Sequence, residues 1–571
     1  MKIKLFTCIL MLSVLFPVFA SAQKVRMKYA TKLMEKKEYI EAIEYFEDLA
    51  GIRGCDPKVL ELAAFCNRKI GNYRKAEYWL SKLMRSKSPL PKHYVLYFRA
   101  LLDNGKYKKA MIVYKEYMEK GFHDTVLDEY FSNGNFFQKN QLDSSEVCLF
   151  SLPMNSFHNE LTPALRGNEL FFGYAKRERH KGRLTSLNPG NIELRMADVY
   201  SETEIIENRS WKTANAKLNK ETYVNFSLDS KTIFLNKVDR RKNKQLYWGK
   251  GDSLDINRLQ KFTYNSRKYS VGRATLSPNG KYLVFSSDMK GSVGGVDLWV
   301  SEWKDEKWQQ PQNLGENINT HEDEVMPNFV NDSTLCFSSE GLPGFGRFDM
   351  FLVGFKDGVV GKARNMGSPV NSYKSEIGVC WSPQYGQYLF ASDRERSYDI
   401  YVYKKVKPKK QINQPVEMEE VKKEEILVEN KKEPEVESIQ VASVEKHQKE
   451  KVDVNKAEQR EIATVTPEEQ NTLLIEEEEV QPSKVLAEGE GFYYAIQVMA
   501  VWKCSEADSY FEMMFKEDKN SFEVVEEDGW LKYRTGHFNS YREALENAND
   551  LGYSQVYIVR MNATQVIRKI K

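Results

Sequence analysis

Apolar positions recur along this chain with two different rhythms. Near the N-terminus Tyr39, Tyr73 and Tyr107 are spaced 34 residues apart, and Ala42, Ala76 and Ala110 repeat the interval. Leu49, Leu83 and Tyr117 follow the same spacing, and a turn residue (Lys37, Gly71 or Gly105) precedes each Tyr. Phe46, Leu80 and Tyr114 come four residues after each Ala and therefore share its helical face. The small Ala side chains let the two helices of a unit approach closely. One such unit cannot bury its apolar stripe alone, so stacking is needed to make a core. The pattern predicts stacked helical pairs over 23–150, with a plain helical bundle as the alternative.

From Ser151 to Tyr403 the rhythm shortens. Aromatic, strand-like runs alternate with Gly, Asn, Asp and Pro turns. One unit reads Leu276-Ser-Pro-Asn-Gly-Lys-Tyr-Leu-Val-Phe285-Ser-Ser-Asp288, followed by Gly294-Gly295-Val-Asp297-Leu-Trp299. Relatives of it contain Phe337 with Asp349-Met-Phe351, and Phe390 with Asp399-Ile-Tyr401; weaker copies contain Phe234 and Phe172. Phe234, Phe285, Phe337 and Phe390 are 51, 52 and 53 residues apart. Strand, tight turn, strand, then a third strand opening on Asp-aliphatic-aromatic describes a propeller blade. Five copies predict an all-β propeller of five or six blades over 151–405; a β-sandwich is the alternative. Asp297, Asp349 and Asp399 occupy matching positions and are expected to bind turn backbone, as Asp does in tight turns. A ring of carboxylates around a cation is the other reading.

Two resemblances follow from these residues. The 34-residue helical units resemble tetratricopeptide repeats, and the longer units resemble the WD40-like blades of TolB-type periplasmic propellers. Both imply surfaces for protein partners.

Over 406–489 aromatic residues vanish and Glu, Lys, Val, Pro and Gln take over, with runs such as Glu476 to Glu479. Such a segment buries too little apolar surface to offset the entropy of ordering. It is expected to be a disordered, charge-mixed linker whose roughly 85 residues span about 50 Å as a flexible coil. A helical stalk is the alternative.

Over 490–571 the period returns to two. Tyr494, Ile496, Val498 and Ala500 alternate with Tyr493, Ala495, Gln497 and Met499; Leu531, Tyr533 and Thr535 alternate with Lys532 and Arg534. Ala507, Tyr510, Phe511, Met514 and Phe515 give one helix an apolar side. Ala544, Ala548 and Leu551 give another, with Ser540 placed to cap it. With the run Gln555 to Arg560, the order is βαββαβ: an α+β layer of two helices on a four-stranded antiparallel sheet. The segment Phe492 to Arg560 resembles a SPOR (sporulation-related) domain in its Gln-Val, Gly-x-Phe and Tyr-Ile-Val elements. That resemblance implies binding of peptidoglycan glycan strands on an open sheet face. The residues it points to are Gln497, Lys532 and Arg534, with Trp502 and Phe538 as rim aromatics. Met499 stands where that family usually has Gly, which would crowd the end of such a groove. A ferredoxin-like fold with another ligand is the alternative.

The two ends and the composition narrow the function. Lys2 and Lys4, an apolar run from Leu5 to Phe19 and Ala20-Ser21-Ala22 describe a cleavable signal peptide over 1–22. That run is shorter than the roughly 20 residues that span a bilayer, and no comparable run follows, so no transmembrane segment is expected after cleavage. A net charge of +3 with 29% charged residues points to no nucleic-acid partner. Seven scattered Cys without CxxC spacing and seven His without HExxH give no metal site and no cofactor; Cys55 and Cys66 are near enough in sequence to pair or to remain buried thiols.

The whole reads as a periplasmic, cell-wall-associated, non-enzymatic scaffold, binding peptidoglycan at its C-terminus and envelope proteins through repeats and propeller. The domain order resembles envelope proteins that pair such units with an OmpA-like domain, some of them in type IX secretion. The alternatives are a propeller that captures a small ligand or glycan, and an accessory to a cell-wall hydrolase.

Overall fold

The computed structural model describes residues 23–406 and 492–562, apart from loop stretches chiefly at 143–146, 185–191, 201–204, 211–222, 252–257, 503–521 (where Ala507 and Phe511 are described) and 551–556. The expected signal peptide and nearly all of the expected linker lie outside the described residues. Among the described residues no helix is long and apolar enough to cross a membrane.

Helices α1 (residues 23–35), α2 (Tyr39–Ala50), α3 (Pro57–Lys69), α4 (Tyr73–Met84), α5 (Pro91–Leu102) and α6 (Tyr107–Glu119) follow one another, then the short α7 (Thr125–Glu129) and α8 (Phe136–Lys139). The 34-residue spacing is a spacing of structure, because Tyr39, Tyr73 and Tyr107 each open a helix. Two residues before them Lys37, Gly71 and Gly105 all take positive φ, at 61°, 81° and 70°. That left-handed turn reverses the chain, and Gly supplies it without a Cβ clash. Ala42, Ala76 and Ala110 are fully buried where successive helices touch. Helix α3 begins at Pro57, whose missing N–H costs nothing there, and Asp56 accepts a bond from Lys58 N at 2.9 Å.

The middle of the chain forms antiparallel sheets whose first strands touch in a ring. The first blade runs Asn159–Arg166, Glu169–Ala175, Ile192–Val199, Ile205–Ser210, and the second Tyr223–Phe226, Thr232–Val238, Lys244–Lys250, Gln260–Lys261. The third is Val271–Leu276, Tyr282–Ser287, Asp297–Lys304, Gln312–Asn313; the fourth is Glu324–Asn331, Thr334–Ser339, Asp349–Lys356, Arg364–Asn365. The marker residues Phe234, Phe285, Phe337 and Phe390 sit in second strands and are at most 1% exposed, wedged between neighbouring sheets.

The blade count differs from the five or six expected. Four sheets stand as separate blades. The strands of the last repeat, Glu376–Ser382, Gln387–Ser392 and Asp399–Lys405, belong instead to a composite eight-stranded sheet. Its fourth strand, Val147–Ser151, comes from before the first blade and pairs antiparallel from Val147↔Lys405 to Ser151↔Tyr401. The sheet then continues through Phe150↔Val501 into the C-terminal strands. Counting repeats in sequence could not reveal that the last copy is completed by a remote strand and extended by another domain.

Asparagine side chains clasp the sheets. Asn319 accepts from Leu298 N at 2.8 Å and donates to Leu298 O at 3.0 Å, standing in for a missing strand residue. Asn265 does the same for Leu246, Asn371 for Met350 and Asn155 for Ile400. The last of these fastens the start of the ring to its end. Three of the clasps open an Asn-[Ser/Thr]-x-x-x-Glu motif. Glu160, Glu324 and Glu376 each accept two bonds from Ser156, Thr320 and Ser372 respectively.

In the C-terminal region the sheet order is Glu523–Glu527, Trp530–Phe538, Phe492–Trp502, Tyr557–Asn562, all antiparallel, with helix Tyr541–Asp550 packed on it. Ser540 Oγ accepts from Glu543 N at 3.2 Å, the expected cap. Ile496, Tyr533, Phe511, Phe522, Ala544 and Ala548 fill its core.

Candidate binding surfaces

Gln497 and Arg534 are paired across neighbouring strands. Arg534 Nε donates to Gln497 Oε1 at 3.1 Å, and its two terminal nitrogens reach the Glu527 carboxylate at 3.0 and 3.1 Å, a bidentate pair. Lys532 Nζ joins the same carboxylate at 2.9 Å. Burial would raise the Glu527 carboxyl, but Arg534 and Lys532 outweigh it and hold it below the usual carboxylate range.

Three of the five residues singled out from sequence are thus brought together, but not as an open row of donors. Gln497 and Arg534 are only 4% and 3% exposed. Gln497 borders a small cavity of about 20 Å³ whose other wall is Ser151, Asn155, Glu395 and Tyr401 of the propeller. Trp502 lies elsewhere: it packs edge-on to Trp530 at 5.7 Å, in a cluster with Tyr401 and Val147 at the seam with the propeller. Phe538 faces the apolar core with Tyr494. Met499, expected on the Gln497 face, is also in that core, because register shifts at Tyr494/Ile496 and Gln497/Met499 break the simple alternation.

The half-open part of the sheet carries residues the alternation did not single out. Tyr493 and His537 stack at 4.1 Å with ring planes 14° apart, and His537 is well exposed. Tyr493 Oη donates to Glu523 Oε2 at 3.5 Å. Glu523 Oε1 is buried with no partner among the described residues. The stack was readable in principle, since Tyr493 shares the Gln497 parity and His537 follows the Gly of the Gly-x-Phe element.

A second surface joins the helices to the propeller. Arg68 of α3 reaches Asp103 at 2.9 Å, Glu340 at 3.3 Å and Glu322 at 3.5 Å, and Arg99 of α5 reaches Glu322 at 2.9 Å. Burial would raise the Glu340 carboxyl, yet Arg68, Lys69 and Arg99 together keep it low. Tyr130 Oη donates to Gly344 O at 3.0 Å and accepts from Gly344 N at 2.7 Å. Phe345 sits among Tyr107, Phe136 and Phe137. One face of the helical region is therefore occupied by loops of this same chain.

Loops of this kind explain two of the three recurrent aspartates, while Asp399 accepts from the Ser397 hydroxyl. Asp297 accepts from Val293 N and Gly294 N, and Asp349 from Phe345 N and Gly346 N. Their carboxylates are spent on their own turns rather than on a cation, and among the described residues no group of three or more His, Cys, Asp or Glu could hold a metal. Cys55, Cys66, Cys336 and Cys380 are free thiols. Cys148, in the closing strand, is disulfide-bonded.

No family model and no curated protein matches the chain. Among solved structures it is similar to TolB from Acinetobacter baumannii, 14% identical over 46% of this chain and 64% of that one, with a TM-score of 0.26. It is similar to a putative TolB from Agrobacterium tumefaciens, 12% identical over 46% of this chain and 99% of that one, TM-score 0.26. It is also similar to a prolyl endopeptidase, 12% identical over 43% and 40% of the two chains, TM-score 0.24. The chain spans just under two thirds of the first of these. Each likeness covers less than half of this chain, and the propeller assignment stands on strand order and ring closure.

Proposed function

We propose that this protein is a non-enzymatic envelope scaffold that holds peptidoglycan through its C-terminal domain and protein partners through the propeller and the free faces of its helices. The observation that carries this reading is the Tyr493–His537 stack. It gives a half-exposed aromatic platform beside the Glu523 carboxylate, on the same sheet as the Gln497–Arg534–Glu527–Lys532 cluster. The outer face of the stacked pair suits the apolar face of a sugar, and the Glu523 carboxylate beside it suits its hydroxyl and acetamido groups. The buried cluster supports the platform rather than touching glycan itself. The signal-peptide reading places such a domain where the wall is.

The test is co-sedimentation of the chain from Gln23 onward with purified sacculi, intact and stripped of stem peptides by amidase. Pelleting that is stronger with stripped glycan supports the reading. A folded chain that stays in the supernatant with both forms overturns it. Zymography on the same sacculi addresses the enzymatic alternative; a cleared band would replace the scaffold by a hydrolase.

A further inference from the structure

The ring has a buried cation on its axis. In four of the five sheets the first strand carries a register shift, at Leu161/Ala164, Val271/Ala274, Val325/Asn328 and Ile377/Cys380. Such bulges re-aim a side chain, and the residue in the third blade's bulge is Arg273. Arg273 is 3% exposed, and its guanidinium reaches the first strands of the neighbouring blades. One terminal nitrogen donates to Pro163 O of the first blade at 2.8 Å and to Asn225 Oδ1 of the second at 2.9 Å. Gly378 of the composite sheet shows it bare backbone: a Cβ there would lie 3.3 Å from Nη1.

Among the described residues no carboxylate balances this charge. Nε and Nη1 of Arg273 have no partner among the described residues. Arg carries five N–H donors, so three of them are unsatisfied. Water can take up N–H bonds but not the charge, and an uncompensated buried ion is strongly destabilising. Burial accordingly pulls the guanidinium down to about 10, which still leaves it charged at neutral pH.

A cavity lies beside one of the partners of Arg273. A cavity of about 220 Å³ opens at the end of the ring formed by the turns after the first strands, lined by Ser227, Ser230, Trp381 and Gln384. Its wall includes Asn225, which bonds Arg273, and Cys380 of the composite sheet. The helical region contacts the propeller through the loops at the opposite strand ends, so this mouth is clear of it.

We infer that the propeller axis is a binding site for a small monovalent anion, of halide or formate size, held by the free N–H groups of Arg273.

The first experiment is a bromide soak of crystals of the protein. An anomalous peak within hydrogen-bond distance of Arg273 Nε or Nη1 is expected. Bromide found on the surface but absent from the axis overturns the site. The second is thermal unfolding of the chain from Gln23 as chloride replaces a bulky sulfonate at constant ionic strength. A saturable rise of about 2–4 °C is expected at tenfold excess over Kd. Arg273→Gln should abolish the dependence and Arg273→Lys should retain part of it. Equal responses in wild type and Arg273→Gln overturn the proposal. If Arg273→Gln does not fold, the bromide site alone decides.

Discussion

Arg347, in a loop of the fourth blade, lies flat on the ring of Tyr73 in α4, its guanidinium carbon 3.4 Å from the ring centroid. The same guanidinium pairs with Asp393 at 2.7 Å, so one side chain ties a helix, a blade and the composite sheet together. A desolvated cation–π contact is worth about 2 kcal/mol. A double-mutant cycle of Tyr73→Leu and Arg347→Met, read by chemical unfolding, should show coupling of about 1–2 kcal/mol. Additive single effects would show that the stack is geometric only.

The Arg68 cluster should be more costly to break than to replace. Removing one partner leaves a buried charge uncompensated, at about 3–5 kcal/mol. Arg68→Met alone should therefore destabilise strongly and expose the helix–propeller seam to proteases. Arg68→Met combined with Asp103→Leu should recover most of the loss, because Glu340 keeps Lys69 and Glu322 keeps Arg99. Protease sensitivity that is unchanged in Arg68→Met would contradict the cluster's role in docking.

Burial pushes the Glu160 and Glu324 carboxyls up to about 7, against the bonds they accept from Ser156 and from Thr320 and Ser339. The unfolded value is about 4.3, so the folded state binds the proton more tightly. Their contribution is fully present below about pH 4 and is lost as pH rises through about 7. Glu324→Gln should reduce the dependence of stability on pH between 5 and 8, and adding Glu160→Gln should flatten it, measured by unfolding at both ends. A wild-type slope that survives both substitutions would place the titration elsewhere.

The asparagine clasps should act locally. Asn319→Ala leaves Leu298 N without its acceptor inside the fold, at about 1–3 kcal/mol, while Leu298 O keeps its bond from Leu314 N. Asn155→Ala instead loosens the fastening of the ring, so hydrogen exchange should quicken at Ile400 and through Val147–Ser151 before the inner strands respond. Uniform acceleration across all sheets would refute a local role.

On the C-terminal sheet, buried and exposed residues should separate in their effects. Tyr493→Ala and His537→Ala should weaken sacculus binding by roughly five- to thirtyfold, equivalent to about 1–2 kcal/mol, with little change in melting. Gln497→Ala should lower stability first, because it strips an acceptor from buried Arg534. Loss of binding in Gln497→Ala at unchanged stability would mean that the cluster itself meets the ligand.

Much of the architecture was legible in local pattern. The 34-residue spacing marked the helix starts, because each Tyr follows an obligatory left-handed turn. The Phe markers found the second strand of each repeat, because those positions are buried on both sides. The parity of Leu531, Tyr533 and Lys532 gave the core and solvent sides of one strand. Long-range relationships were not legible. Nothing in Gln497 announces that a propeller edge lies beside it, and two bulges moved Met499 off the face its parity assigned. The Asn-[Ser/Thr]-x-x-x-Glu recurrence at Asn155, Asn319 and Asn371 was in plain view, but its meaning depends on a strand lying many residues upstream or, for Asn155, at the far end of the ring.

The strand Val147–Ser151 is synthesised long before its partner Asp399–Lys405 exists. Until the last repeat emerges, its Val-Cys-Leu-Phe sequence is an apolar edge with nothing to pair with, the kind of edge that recruits other chains. Pairing across so long a separation is slow, whereas the helices before it need only near neighbours and can fold at once. Assembly of this molecule therefore has a built-in waiting period, and any factor that shields one short strand during that interval would govern how much of the protein reaches its native state.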